Sequence, residues 1–206
     1  MDTKGDNRLV RLIPNALTFA RLILTLVFLA MVLYAPRTGE EKPATFLMTA
    51  FTLFVIAGLT DIVDGPIARA FSVTSKFGRI VDPLADKILV GGAFICFVIV
   101  KQPTFANIFS PHTAALIRWA TAIVIIAREV FVTILRHIAE ARGVSFAATV
   151  TGKIKMFVQS FGIGTVMVKW AFVSRAWGDW FTVVTFAIVL AVTVVSGVKS
   201  LQRPRK

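Results

Sequence analysis

Cysteine and histidine are almost absent from this chain, and their scarcity removes several chemistries at the outset. Of 206 residues one is cysteine and two are histidine. A single cysteine rules out an internal disulfide, and Cys96, inside an apolar run, reads as a small packing residue. Neither His112 nor His137 is near the acidic motif described below, which argues against zinc held by Cys and His. His112 reads as solvated in a loop, and His137 as an interfacial or packing residue. Acids are also few, 11 Asp and Glu against 23 Lys and Arg, for a formal net charge of +12. There is no internal repeat, no low-complexity segment and no soluble module. The positive charge is scattered over short segments between apolar runs, so a DNA-binding role is excluded and no nucleic acid partner is expected.

Apolar sequence is what the chain has in abundance. It is 56% hydrophobic, with a mean hydropathy of +0.78. Runs of about 18 or more apolar residues read as bilayer spans, because about 20 residues of helix cross the hydrocarbon core. Six occur, at roughly 13–34, 45–67, 80–100, 114–135, 156–173 and 180–198. They predict an all-α membrane protein of six transmembrane helices. The first run is too long for the apolar core of a cleaved signal and reads as a span. Residues 1–12 are polar and basic, with Leu9, Val10 and Leu12 interleaved, and predict a short interfacial helix. Pro14 then serves as an early residue of the first span. Residues 34–43, 101–113 and 174–179 predict outer connections, and Trp170, Trp177 and Trp180 around the last fit an interfacial belt. With the N-terminus in the cytoplasm, fourteen Lys and Arg fall inside and five outside, a positive-inside distribution. The expectation is one multi-pass domain over 1–206 in the cytoplasmic (inner) membrane, with both termini cytoplasmic.

The informative exception to this apolar character is a set of four aspartates within 26 residues. Asp61, Asp64, Gly65, Ala68 and Arg69 precede an eight-residue gap, followed by Gly78, Asp82 and Asp86. Carboxylates at membrane depth are costly and usually functional. Asp61 and Asp64 are three apart and Asp82 and Asp86 four apart, so each pair shares a helix face. A short connection predicts antiparallel neighbouring helices, with the four carboxylates converging near the cytoplasmic surface. Such a set would repel itself unless protonated or bound to cations. All-oxygen ligation suits Mg²⁺, Mn²⁺ or Ca²⁺, with two ions shared among the four groups. Gly65, Ala68 and Gly78 leave room for a ligand near the backbone. Arg69 is suited to phosphate, and Thr74 and Ser75 offer hydroxyls.

The pattern D-x-x-D-G-x-x-A-R-x8-G-x-x-x-D-x-x-x-D resembles the signature of the CDP-alcohol phosphotransferases, with every fixed position present. The resemblance extends along the whole chain. It implies six transmembrane helices with an interfacial N-terminal helix, a cytoplasmic active site and a homodimer. It also implies a reaction, in which an alcohol attacks the β-phosphorus of a CDP-linked lipid and CMP leaves. On that resemblance Asp61, Asp64 and Asp82 ligate a binuclear Mg²⁺ or Mn²⁺ site. Asp86 acts as general base, with a metal contact of its own. Gly65, Ala68, Arg69, Ser75 and Gly78 hold the cytidine and diphosphate.

Two further segments bear on the substrates. Asn15, Thr18 and Arg21 project on roughly one helix face, and the P-N-x-L-T-x-x-R run around them resembles the start of bacterial family members. The polar face reads as turned to the nucleotide or diphosphate. Arg128 and Glu129 stand inside the fourth run, where Glu129 is the only acid in a span outside the aspartate motif. As sequence neighbours they point about 100° apart and need not pair. Arg136 follows two turns after Arg128, and Lys153 and Lys155 open the fifth helix. These four cations suit a phosphate-bearing acceptor. Their arrangement is similar to the branch of the family that makes phosphatidylglycerophosphate from CDP-diacylglycerol and sn-glycerol 3-phosphate, although His137 follows Arg136 where many members carry an acid. Other acceptors within the family, phosphatidylglycerol (cardiolipin synthase) or inositol phosphate (phosphatidylinositol phosphate synthase), are the alternatives. A cation-coupled transporter is a remote one, since the acids sit at one face and no paired broken helices are visible.

Overall fold

The computed structural model describes residues 6–35, 44–70, 76–143 and 150–201; in 6–15, 61–70, 76–83 and at 150 it describes the backbone alone. Among these residues there are six α-helices and no strand. They are α1 (Asp6–Tyr34), α2 (Ala44–Ala70), α3 (Lys76–Ile99), α4 (Pro111–Ala141), α5 (Val150–Phe172) and α6 (Ala176–Leu201). Each apolar run falls on one helix. The helices outlast the runs where charged turns continue the backbone ladder. Thus α4 carries on past Arg136 to Ala141, and α5 starts before Lys153. At the N-terminus the helical backbone runs unbroken through Pro14, so the expected interfacial helix and first span are one 29-residue element. A proline removes one ladder hydrogen bond and strains the turn before it, and here the helix continues through both. Within the described residues, Ala16–Tyr34 of α1 and Ala176–Leu201 of α6 are long and apolar enough to cross a membrane, and Ala44–Thr60 of α2 is a shorter apolar helix.

The chain forms two compact units, Met1–Ala93 and Phe94–Lys206. In the first, Thr18, Arg21, Thr25, Phe28 and Val32 form the buried face of α1, alternating three and four residues apart as a 3.6-residue period requires. Leu47, Ala50, Phe54 and Ala57 do the same on α2. The two stripes meet at Phe28 and Phe54, whose ring centroids are 5.3 Å apart. A Cβ added to Gly92 of α3 would stand 2.8 Å from Leu29 Cδ1, so glycine lets α3 come close to α1 there. The opposite faces, including Phe19, Leu26 and Leu59, are apolar and exposed.

The second unit is built on a hydroxyl-lined seam. Thr182, Thr185, Thr193 and Ser196 are buried along α6, together with Phe186 and Val189. Thr182 and Thr185 donate to the carbonyls of Gly178 and Phe181 at 2.7 and 2.8 Å, so these hydroxyls are satisfied within their own helix. Small side chains allow close helix approach, and a Cβ on Gly162 of α5 would lie 3.0 Å from Val189. Gln159 of α5 donates to Thr193 Oγ1 at 3.1 Å. Phe186 receives the edges of Phe94 and Phe105, with centroids 5.9 and 6.1 Å away.

A polar clasp closes this unit at the 101–110 connection. Ser110 caps α4, its Oγ accepting from the Thr113 amide, with Pro111 in the first turn. Buried Arg118 donates to the Pro103 carbonyl at 2.8 Å. Asn107 donates through its side chain and backbone to Asp179 Oδ2, at 2.7 and 3.2 Å. Lys169 at the end of α5 completes the pair with Asp179 Oδ1 at 2.6 Å. Asp179, expected in a turn, is instead fully buried in the first turn of α6. An acid there also complements the helix N-terminus. Asp179→Ala leaves Lys169 buried without its carboxylate. A loss of about 3–5 kcal/mol is expected, read as a drop in the thermal midpoint of the detergent-solubilised protein. The double variant Asp179→Leu/Lys169→Met recovers part of that loss, because no charge is then left unpaired.

Candidate active site

The aspartates divide between two helices. Asp61 and Asp64 lie one turn apart near the end of α2, and Asp82 and Asp86 one turn apart in the first half of α3. The side chains of Asp61, Asp64, Asp82 and Arg69 lie outside the described residues. So do Asn15, Gly65, Ala68 and Gly78 beyond their backbone, and Ser75 altogether. Asp86 is described. Its side chain is 26% exposed, and Arg21 Nη1 stands 3.4 Å from its Oδ1. Arg21 itself is 1% exposed. Thr18, one turn earlier, is buried on the same stripe. Of the polar face expected on α1, Thr18 and Arg21 are buried, and Arg21 brings its guanidinium to the carboxylate of α3. A buried arginine needs such a counter-charge.

Among the described residues no three Cys, His, Asp or Glu come together, and three of the four aspartates stand outside that set. The motif supplies carboxylate oxygens in two one-turn pairs on continuous helical backbone, with no sulfur or imidazole among them. That donor set fits a hard divalent ion.

The second unit holds a separate charged cluster. Arg128 Nη1 donates to Glu129 Oε1 at 3.0 Å, and Arg128 Nη2 to Ser196 Oγ of α6 at 2.7 Å. Lys155 of α5 donates to the same Glu129 oxygen. The three charged side chains are 12%, 17% and 7% exposed, in the order Arg128, Glu129, Lys155. Adjacent residues on a helix do diverge by about 100°, yet Arg128 and Glu129 meet. Both side chains are long, and Lys155 draws the carboxylate to a point that the guanidinium reaches too. Arg128 Nε is buried, and no described atom accepts from it.

Two of the four expected acceptor-site cations are thus brought together. Lys153, two residues before Lys155 and some 200° around α5, is exposed. Arg136 is half-buried two turns along α4. Ser196 was not anticipated. Its signal was legible as a member of the buried stripe Thr182, Thr185, Val189, Thr193 and Ser196 on α6, in a run that otherwise reads only as apolar.

The model of the CDP-alcohol phosphatidyltransferase family matches residues 11–195. A probable phosphatidylglycerophosphate synthase of Mycobacterium tuberculosis is 31% identical over 199 residues, covering 97% of this chain and 84% of the relative. A CDP-diacylglycerol–glycerol-3-phosphate 3-phosphatidyltransferase of Bacillus subtilis is 35% identical over 161 residues, 75% of this chain and 76% of the relative. A protein of the same name from Haemophilus influenzae is 33% identical over 159 residues, 75% of each. The family generally works with a divalent metal and acts in membranes, in keeping with the two bilayer-length apolar segments. Since the match runs from α1 into α6, the chain is a membrane enzyme that belongs to the CDP-alcohol phosphatidyltransferase family.

Proposed function

We propose that this protein transfers the phosphatidyl group of CDP-diacylglycerol to sn-glycerol 3-phosphate, yielding phosphatidylglycerophosphate and CMP. The names of the relatives support this acceptor. The structural observation that carries it is the buried Arg128–Glu129–Lys155 cluster, with a guanidinium N–H still lacking an acceptor among the described residues. Cations held inside a helical unit suit an acceptor that brings its own phosphate. Arg136, half-buried two turns from Arg128, and Lys153, exposed at the start of α5, add positive charge that attracts the acceptor to this end of the helices.

In the reaction the acceptor's hydroxyl oxygen forms a bond to the β-phosphorus of the CDP-lipid, and the bond from that phosphorus to the CMP oxygen breaks. Asp86 takes the hydroxyl proton. Arg21, packed against Asp86, keeps that carboxylate in one orientation. Asp61, Asp64 and Asp82, joined by Asp86, would hold two Mg²⁺ or Mn²⁺ ions. When bound, these ions neutralise charge on the diphosphate and on the departing CMP. Gly65, Ala68 and Gly78 leave space for the nucleotide beside the helix backbone. Arg69, Ser75, Asn15 and Thr18 supply its polar contacts. The positive-inside distribution supports six spans, both termini in the cytoplasm and an active site on the cytoplasmic side of the cell membrane. The family match from residue 11 to 195 supports a single domain, and family likeness a homodimer.

Four outcomes are expected of the purified protein in detergent. CMP release from CDP-diacylglycerol requires both sn-glycerol 3-phosphate and Mg²⁺ or Mn²⁺, and chelation abolishes it. Release that persists in excess chelator would overturn the metal assignment. Asp86→Asn lowers turnover by about 10²–10⁴-fold, the usual contribution of a general base. Arg21→Leu lowers turnover by about 10²-fold, the scale of a misplaced reacting group, with Arg21→Lys restoring part of it. Unchanged turnover in Arg21→Leu would remove Arg21 from this role. Arg128→Ala and Lys155→Ala each raise KM for sn-glycerol 3-phosphate by about tenfold or more, the scale of one charged hydrogen bond. KM for CDP-diacylglycerol stays within about twofold, because uniform binding to the other substrate is untouched. If neither variant changes KM for sn-glycerol 3-phosphate, the acceptor site lies elsewhere.

A further inference from the structure

We infer that Glu129 is a positioning residue for acceptor recognition. Its single oxygen Oε1 fixes Arg128 and Lys155 as one converging pair of donors, and Ser196 fixes the far end of the Arg128 fork. The inference rests on the proposed reading that Arg128 and Lys155 meet the acceptor's phosphate.

The geometry is specific. Oε1 of Glu129 accepts from a terminal nitrogen of Arg128 at 3.0 Å and from Lys155 Nζ. The two cationic nitrogens therefore sit closer together than their mutual repulsion would leave them. The other terminal nitrogen of Arg128 is tied to Ser196 Oγ at 2.7 Å. The stem runs close to α6, since Arg128 Cγ lies 3.5 Å from where a Cβ on Gly197 would be, an ordinary contact distance. A guanidinium held at both terminal nitrogens cannot rotate, yet it has five N–H groups and these two bonds engage only two of them. The Nε–H is buried, and no described atom accepts from it. A donor left in that state costs free energy until an acceptor arrives. Glu129 thus holds a cation pair with donor capacity to spare, and a phosphate can use it without either long side chain first being ordered.

A carboxylate beside a phosphate also repels it. Two opposite roles therefore predict opposite signs. As organiser, Glu129 lowers KM for the acceptor; as a resident competitor for the same cations, it raises it. The experiment measures KM for sn-glycerol 3-phosphate and for CDP-diacylglycerol with the full-length chain in detergent, for Glu129→Ala, Glu129→Gln and Ser196→Ala. For Glu129→Ala, KM for sn-glycerol 3-phosphate should rise by about tenfold or more, with KM for CDP-diacylglycerol within about twofold. Glu129→Gln keeps an oxygen for the guanidinium and should fall between wild type and Glu129→Ala. Ser196→Ala, which loosens one end of the fork, should raise the same KM by about threefold.

An unchanged or lowered KM for the acceptor in Glu129→Ala overturns the inference, as does a parallel rise in both KM values. If Glu129→Ala does not fold, Glu129→Gln and Ser196→Ala decide the matter: wild-type KM values in both overturn it. Failure of the underlying reading is seen separately, as wild-type acceptor KM in Arg128→Ala and Lys155→Ala. If those two respond and the Glu129 variants do not, only the role of Glu129 is lost.

Discussion

Charge inside an apolar helical unit has to be neutralised or hydrogen-bonded where it stands, and the described packing is arranged around that requirement. Arg21 meets Asp86, Lys169 meets Asp179, Arg128 and Lys155 share Glu129, and Arg118 takes the Pro103 carbonyl. All but the Arg128–Glu129 contact join segments that the sequence separates. They replace, in part, a driving force that is weak between helices surrounded by lipid, where apolar side chains gain little by leaving one apolar neighbour for another. Van der Waals fit at Gly92 and Gly162 and polar contacts at the helix ends then supply what hydrophobic burial does not.

The same requirement separates structural from chemical charge. Asp179 is fully buried, takes bonds from Lys169 and Asn107, and lies at the closed end of its unit. It has the partners of a structural ion. Asp86 keeps part of its side chain open while Arg21 is sealed beneath it. In the proposed reaction that asymmetry is useful, because the carboxylate faces the substrate side and the guanidinium only holds it. The Arg128 fork is similar, with its ends fixed and a donor to spare.

Much of this was legible in the sequence. Run length gave all six helices, because bilayer-length apolar stretches have few alternatives to helix. The aspartate motif pointed to the family, and the family model matches residues 11–195. What escaped were features that depend on side-chain reach or on contact between helices. The pairing of Arg128 with Glu129 runs against helical angle alone and arises only because Lys155 arrives from another helix. Asp179 reads as a turn acid until Lys169 and Asn107 are seen around it. Ser196 looks like a chance hydroxyl until Arg128 is seen against it, and the contact of Arg21 with Asp86 joins two helices whose packing no spacing rule supplies.

The α5–α6 pair is tied near both ends. Lys169–Asp179 holds one end, and the cluster joining Lys155, Glu129, Arg128 and Ser196 holds the other. Between Lys155 and Lys169 lie four helical turns, about 21 Å at 1.5 Å per residue. Two fastenings that far apart set the register of the pair as a pinned strut, and sliding one helix along its partner would break both at once. A push on one end of such a strut is then met by leaning of the whole pair rather than by slippage. The spacing of the Arg128–Lys155 pair is then insulated from any sliding of α5 along α6.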